Sequence, residues 1–149
     1  MKGYEFSRLL PSETWPLRAA VLWPEKEVGP SCELNVDSVE GALHFGIKQN
    51  GLVVCVGSFL PQEHPENPEL TYRLRAMATS VNHRKKGLGR MLIEGALAEL
   101  MKTQVKGVWA DARHAALGFY ARLDWEVSGP TYEVTNRGLH RLVWVRIDE

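Results

Sequence analysis

The chain is predicted to fold as an α/β domain built on a mixed sheet. Three stretches carry that expectation. LTYRLRAMAT, residues 70–79, alternates its side chains as a strand does; GLGRMLIEGALAELMK, 87–102, spaces its apolar residues for one face of a helix; and Asn50-Gly51 sits between two β-rich runs where a type I′ hairpin turn belongs. The 149 residues, 44% of them hydrophobic, suit one domain spanning 1–149 and are too few for two ordinary ones.

Taken in order, residues 4–9 read as a short first strand. Trp15–Trp23 places Leu17, Ala20 and Val21 on one helical face and stops at Pro24; Pro16 fits only a first turn, which makes Thr14 the expected cap. ALHFGIKQ (42–49) and LVVCVGSF (52–59) are the two strands of the Asn50-Gly51 hairpin, and PQEHPENPE (61–69) is a polar, proline-rich loop. In the next strand, Leu70, Tyr72, Leu74, Ala76 and Ala78 are predicted to share one face and Thr71, Arg73, Arg75, Met77 and Thr79 the other. The helix over 87–102 is expected to bury Leu88, Met91, Leu92, Ala96 and Leu100. GVWADA (107–112) reads as a strand, and HAALGFYARLDW (114–125) as an amphipathic helix with Ala116, Phe119, Tyr120 and Leu123 clustered. EVSGPTYEV, TNRG and LHRLVWVRI (126–147) close the chain as a hairpin. The order is β α β β β α β α β β.

Lys and Arg together number 18, as do Asp and Glu, so no global field recruits nucleic acid or an anionic membrane, and an anion site has to be local. Arg84, Lys85, Lys86 and Arg90 form such a local cluster. Cys32 and Cys55 lack CxxC spacing and read as reduced thiols of a cytoplasmic protein; His44, His64, His83, His114 and His140 lack ligand spacing, so no metal is expected. No apolar run approaches the ~20 residues of a membrane span, and no export signal is visible.

HRKKGLGRML, residues 83–92, lies between the alternating strand and a helix start. The first amides of a helix have no internal partners and sit at the positive end of its dipole, and glycine lets an anion come close to the backbone. Taken alone, the same glycines are plain turn residues and the lysines a solvated face. Neither nucleotide fingerprint fits: there is no GxxxxGK followed by Ser or Thr, and Leu92 stands where a dinucleotide fold needs a third glycine.

Arg84-Lys85-Lys86-Gly87-Leu88-Gly89, an R-x-x-G-x-G run after a strand ending RAMATSV, resembles the pyrophosphate loop of the GCN5-related N-acetyltransferase (GNAT) superfamily. GFYARLDW is similar to that family's FYxxLGF helix and WADAR to its WxNAR-type strand; LRAAVLWP and LHFGI look like one small bacterial subgroup. The resemblance covers nearly the whole chain. It implies a mostly antiparallel six- to seven-stranded sheet with helices on both faces and a strand splay at the cofactor cleft. It also implies acetyl-CoA as cosubstrate and transfer of its acetyl group to an amine of a small molecule or peptide. The resemblance assigns the pantetheine arm and thioester to Met77, Ala78 and Thr79, the pyrophosphate to the amides from Arg84 through Lys85, Lys86, Gly87, Leu88 and Gly89 to Arg90, and a further cofactor contact to Phe119. Lys85 and Lys86 are available to the 3′-phosphate. Tyr120 maps onto the general acid near the sulfur; the alternative is a core aromatic with its hydroxyl bonded elsewhere.

Asp124 stands where the family helix has glycine, and Asp111 where its strand has asparagine, and both departures bear on the acceptor side. The acceptor pocket is expected from residues about 23–41 and the final hairpin. Trp23, Glu25, Glu33, Asp37 and Glu40 give that region an acidic lean that suits a cationic amine, while Arg73 and Arg75 either face water or bind an acidic acceptor. Two other classes compete: a non-catalytic acyl-CoA sensor, and an RNA- or phosphoprotein-binding module, which the zero net charge disfavours. Homodimerisation is left open.

Overall fold

The computed structural model describes residues 3–147. Strands β1 (Tyr4–Leu9), β2 (Leu43–Gln49), β3 (Leu52–Pro61), β4 (Tyr72–Thr79), β5 (Gly107–Arg113), β6 (Glu126–Val134) and β7 (Gly138–Arg146) form one seven-stranded sheet in the order β1-β2-β3-β4-β5-β7-β6. Every pairing is antiparallel except β4 with β5. Asn50 and Gly51 both hold positive φ, 52° and 81°, as a type I′ turn requires, and set the β2–β3 register.

Helices cover both faces. Against one lie α2 (Leu88–Met101) and α3 (Leu117–Arg122), over a core that includes Phe45, Phe59, Leu74, Val108 and Val143. The buried stripe of α2 is Leu88, Leu92, Ile93, Ala96 and Leu100; Met91 is only half-buried, so the stripe is turned one residue from the expected one. On the other face, Leu9, Leu17, Val56 and Ala78 form a smaller cluster under the first helical segment.

That segment departs from expectation. It is a 3₁₀ turn (Pro11–Thr14), a single α-helical turn, α1 (Trp15–Leu17), and a π-helical turn (Arg18–Leu22) closed by the Trp23 amide on the Arg18 carbonyl at 2.8 Å. Thr14 is no cap: its hydroxyl donates to the Pro11 carbonyl at 2.6 Å, and the end is capped instead by Glu13, whose carboxylate accepts the Leu10 amide at 2.8 Å. Ala20 is exposed, and Arg18, a polar residue in the sequence pattern, is fully buried.

Arg18 is held by a buried polar network through both of its terminal nitrogens. Its guanidinium donates to Asp37 Oδ2 at 2.5 Å and Oδ1 at 3.0 Å, to the Cys32 carbonyl at 2.9 Å and to Ser58 Oγ at 2.9 Å. His44 Nε2 faces the Asp37 carbonyl at 2.9 Å, which fixes the proton on Nε2; Nδ1 then accepts from Ser58 Oγ at 2.7 Å. Burial holds the His44 imidazole below its ordinary pKa, so it stays neutral. The network ties the irregular residues 23–42 to β2 and β3. Asp37→Ala strands the Arg18 charge in the core and is expected to cost about 3–5 kcal/mol in denaturant unfolding, whereas exposed Glu40→Ala stays within about 0.5 kcal/mol of the parent.

Candidate active site

The site begins where β4 leaves its neighbours. β4 and β5 pair only at Tyr72–Val108 and Arg73–Trp109, and beyond Arg73 the strands part. On its other edge, Ser58 pairs with Arg75 and Val56 with Ala78, so Ala76 and Met77 together oppose Gly57: a β-bulge, with Ala76 at φ 54°. The bulge reverses the alternation. Leu74 packs under α2, but Ala78 packs with Leu9 and Leu17 on the opposite face, contrary to the expected common face for Leu74, Ala76 and Ala78. Met77 and Thr79 turn to the α2 side, Met77 against the main core and Thr79 Oγ1 at 3.3 Å from Cys55 Sγ.

The parted strands open a cleft of about 830 Å³. Its walls include Met77, Ala78, Thr79, Arg84, Lys85, Gly87, Leu88, Gly89, Arg90, Phe119 and Tyr120; of the expected cofactor residues only Lys86 lies off the wall. The loop is tied down at its start, by the Ser80 amide on the Val54 carbonyl at 2.8 Å and His83 Nε2 on Gln49 Oε1 at 2.9 Å. Gly87 caps α2 at φ 76°, a conformation that favours glycine. The first intrahelical bond is Met91 N–H to the Gly87 carbonyl, which leaves the amides of Leu88, Gly89 and Arg90 without helical acceptors. Gly89 has a packing reason as well: a Cβ there would stand 3.0 Å from Met77 Cε and 3.2 Å from Phe119 Cζ. Arg90 turns to Glu94, 3.2 Å away on the helix surface.

Tyr120 sits on α3 between Phe119 and Trp125, with ring centroids 5.2 and 5.0 Å away. Its side chain is buried, yet among the described residues nothing hydrogen-bonds its hydroxyl, and it lines the cleft. That is not the bonded core tyrosine of the alternative account. Burial pushes its phenol well above the ordinary tyrosine range, so it holds its proton at neutral pH. Cys32 and Cys55 are free and buried, and burial pushes the Cys55 thiol up to about 11, so it is no nucleophile.

The far end of the cleft differs from the expected acidic pocket. Val21, Leu22 and Trp23 line it from the first helical segment and Val134, Asn136, Arg137 and His140 from the β6–β7 hairpin, but Glu25, Glu33, Asp37 and Glu40 do not. Asp37 points inward to Arg18, and the Glu33 carboxylate accepts the Ser38 hydroxyl at 3.0 Å. Asp111 is on the wall, where it accepts from Arg73 Nη2 at 2.6 Å and from the Tyr132 hydroxyl. Arg73 also lies over the Trp109 ring, 4.7 Å from its centroid, and the Trp109 indole is fixed by the Gln62 carbonyl at 2.8 Å. The sequence named Arg73 and Asp111 separately; their pairing across β4 and β5, and the part of Tyr132, had no local signal.

The sequence profile of the acetyltransferase (GNAT) family matches residues 8–125. A Bacillus subtilis (strain 168) protein, the uncharacterized N-acetyltransferase YitI, is 33% identical over 133 residues, 89% of this chain and 89% of that protein. The chain belongs to the GNAT family. It is an N-acetyltransferase of the acyl-transfer type that this family defines. Solved structures share the enzyme's fold. The acyl-CoA N-acyltransferase from Pseudomonas aeruginosa superposes with a TM-score of 0.73 at 18% identity, covering 95% of this chain and 97% of that one. The ribosomal-protein-S18-alanine N-acetyltransferase from Escherichia coli gives 0.74 at 20%, covering 98% and 95%. An aminoglycoside 6'-N-acetyltransferase complexed with coenzyme A gives 0.74 at 15%, covering 96% and 97%. Among the described residues no helix is long and apolar enough to cross a membrane.

Burial and the hydrogen bond to Asp111 hold the Tyr132 phenol above its ordinary pKa. Asp111→Asn removes the carboxylate charge, so ultraviolet titration of phenolate should show Tyr132 ionising at lower pH in the variant than in the parent, with Tyr132→Phe identifying its signal. An unchanged titration would mean that the two side chains do not meet in solution.

Proposed function

We propose that the enzyme transfers the acetyl group of acetyl-CoA to a primary amine, with the cofactor lying along the cleft from the Arg84–Arg90 loop to Tyr120. The observation that carries this is the Tyr120 hydroxyl: a proton-bearing group without a partner among the described residues, on the wall of the same cleft whose other end is a helix N-terminus with free amides. The site fits the cofactor in its chemistry. Free amides at the positive end of α2, flanked by exposed Arg84 and Lys85, suit a pyrophosphate. The bound donor would supply an acyl group already activated as a thioester.

The chain's own groups divide the remaining work. The Ser80 amide bonds back to β3, so strand alternation aims the Thr79 and Met77 amides into the cleft, where no β5 partner takes them. There they stabilise the oxyanion that forms when the neutral amine attacks the carbonyl carbon. Tyr120 Oη gives its proton to the departing sulfur and is reprotonated as the amine nitrogen loses its own. A raised phenol pKa keeps Tyr120 charged with that proton at neutral pH. These roles for Met77, Thr79 and Tyr120 are proposals, as is the acetyl donor.

Tyr120→Phe keeps the ring between Phe119 and Trp125 and removes only the proton donor. Turnover in a thiol-release assay should fall by roughly 10²-fold with CoA affinity little changed, and a fully active Phe variant would sink the assignment. CoA should raise the melting temperature, as a ligand selective for the native state must. Lys85→Ala should weaken CoA more than its dephospho analogue, and Lys86→Ala, whose side chain lies off the cleft wall, should weaken neither by much. Equal losses for both ligands in Lys85→Ala would leave that lysine a surface charge.

A further inference from the structure

The acceptor end of the cleft is cationic, which the zero net charge of the chain conceals. Away from the loop its walls carry Arg73, Arg75, Arg113 and Arg137, and among the described residues Asp111 is the one carboxylate facing them. Asp111 is already engaged by Arg73 and Tyr132. Arg137 spans from the β6–β7 turn to the Leu22 carbonyl, 3.4 Å away, and so closes this end against the first helical segment.

Arg75 stands apart from the others. It is half-buried on β4, immediately before the bulge, on the strand face it shares with Arg73, and its guanidinium makes no hydrogen bond and no ion pair with any described residue. Burial, and then the neighbouring Arg73 charge, disfavour its protonated form. An arginine so placed is an unfavourable thing to leave empty: the Asp37 and Asp111 charges offset its desolvation only in part, and among the described residues no group hydrogen-bonds the guanidinium. A planar, five-donor fork with no partner, opening into a substrate cleft, matches a carboxylate.

We infer that the acceptor is an amine that also carries a carboxylate, an amino acid or a short peptide acid, and that Arg75 is the residue that binds this carboxylate beside the reacting carbon. The inference rests on the acetyl-transfer assignment above. It also reverses the polarity that the acidic residues of the 23–41 segment suggest, because those residues do not reach the cleft.

The test uses the full-length enzyme with acetyl-CoA and matched acceptor pairs: free amino acids against their carboxamides and decarboxylated amines, with phosphoethanolamine against ethanolamine to separate carboxylate from phosphate. The acid member of each carboxylate pair should be favoured by about ten- to a hundredfold in kcat/KM, the scale of one hydrogen bond between charged groups. Arg75→Gln should abolish that preference, chiefly by raising KM for the acid member of each pair. Arg75→Lys should restore only part, since it keeps the charge and loses the fork. Because the guanidinium has no partner among the described residues, Arg75→Gln should melt no lower than the parent; a large drop would make Arg75 structural and overturn the inference. So would equal rates within the pairs, a preference for dications, or a preference for the phosphate pair alone. Should no acceptor turn over, thermal shifts with CoA present decide: stabilisation by acids and not amides, lost in Arg75→Gln, supports the inference, and equal or absent shifts overturn it. Absence of both turnover and a CoA-induced shift would instead remove the acetyl-transfer assignment, and the inference with it.

Discussion

A residue with a Cβ resists φ near +54°, and such a backbone costs on the order of 1–3 kcal/mol, yet Ala76 adopts it in the middle of the best-patterned strand of the chain. Three features of the site depend on that one distortion. It inserts the extra residue opposite Gly57 and breaks the register with β3; it sends Met77 and Thr79 to the α2 face while keeping Ala78 against Leu9 and Leu17; and it lies where β4 no longer pairs with β5. A regular β4 would have continued pairing along β5, and its amides would have been spent on the sheet. The strain is held by what surrounds it, since Leu74 and Ala78, on either side of the bulge, are both anchored in packed clusters on opposite faces.

The walls of the cleft that results are fastened independently. Met77 and Phe119 converge on Gly89, so the bulged strand, the N-terminal turn of α2 and α3 meet in one contact that a larger residue at 89 would push apart. Trp125 backs Tyr120 from the core side. At the opposite end the buried Arg18–Asp37–Ser58–His44 network pins the segment that carries Val21, Leu22 and Trp23, and Arg18 lies 6.0 Å from the Trp23 ring centroid. Buried ionic groups of this sort add little net stability against an apolar replacement, but each leaves a large penalty if its partner is lost, which favours one arrangement of the loop over its alternatives.

Much of this was legible because it is local. Asn50-Gly51 fixes a turn by backbone conformation alone, the β-rich and helical periods give each strand and helix its place, and the R-x-x-G-x-G loop announces itself by standing between a strand and a helix. The parts that escaped are those in which distant residues meet. Alternation in 70–79 is a count of two, and a bulge shifts it by one residue with no mark in the sequence beyond an alanine that any strand could hold. Arg18 looks like a solvated residue on a helix until Asp37, 19 positions later, is placed beside it. Asp37 in turn looks like part of an acidic pocket until Arg18 takes it. The acidic lean of 23–41 was therefore a statement about composition, and the charge of the cleft is a statement about direction.

The two ends of the cleft use different kinds of group, and this bears on how one fold serves many acceptors. The end at the 84–90 loop is made largely of backbone: free amides of α2, a left-handed Gly87, and the unpaired edge of β4. Backbone geometry survives wide changes of side chain, so relatives at 15–20% identity keep the same architecture with TM-scores above 0.7. The end away from the loop is made of side chains from several elements: Trp23 from a π-helical turn, Arg73 and Arg75 from β4, Asp111 from β5, Arg137 and His140 from the last hairpin. Side chains at this end can differ from one member of a fold to the next while the backbone that opens the cleft stays, and Arg75, whose guanidinium has no partner among the described residues, is free to meet a ligand.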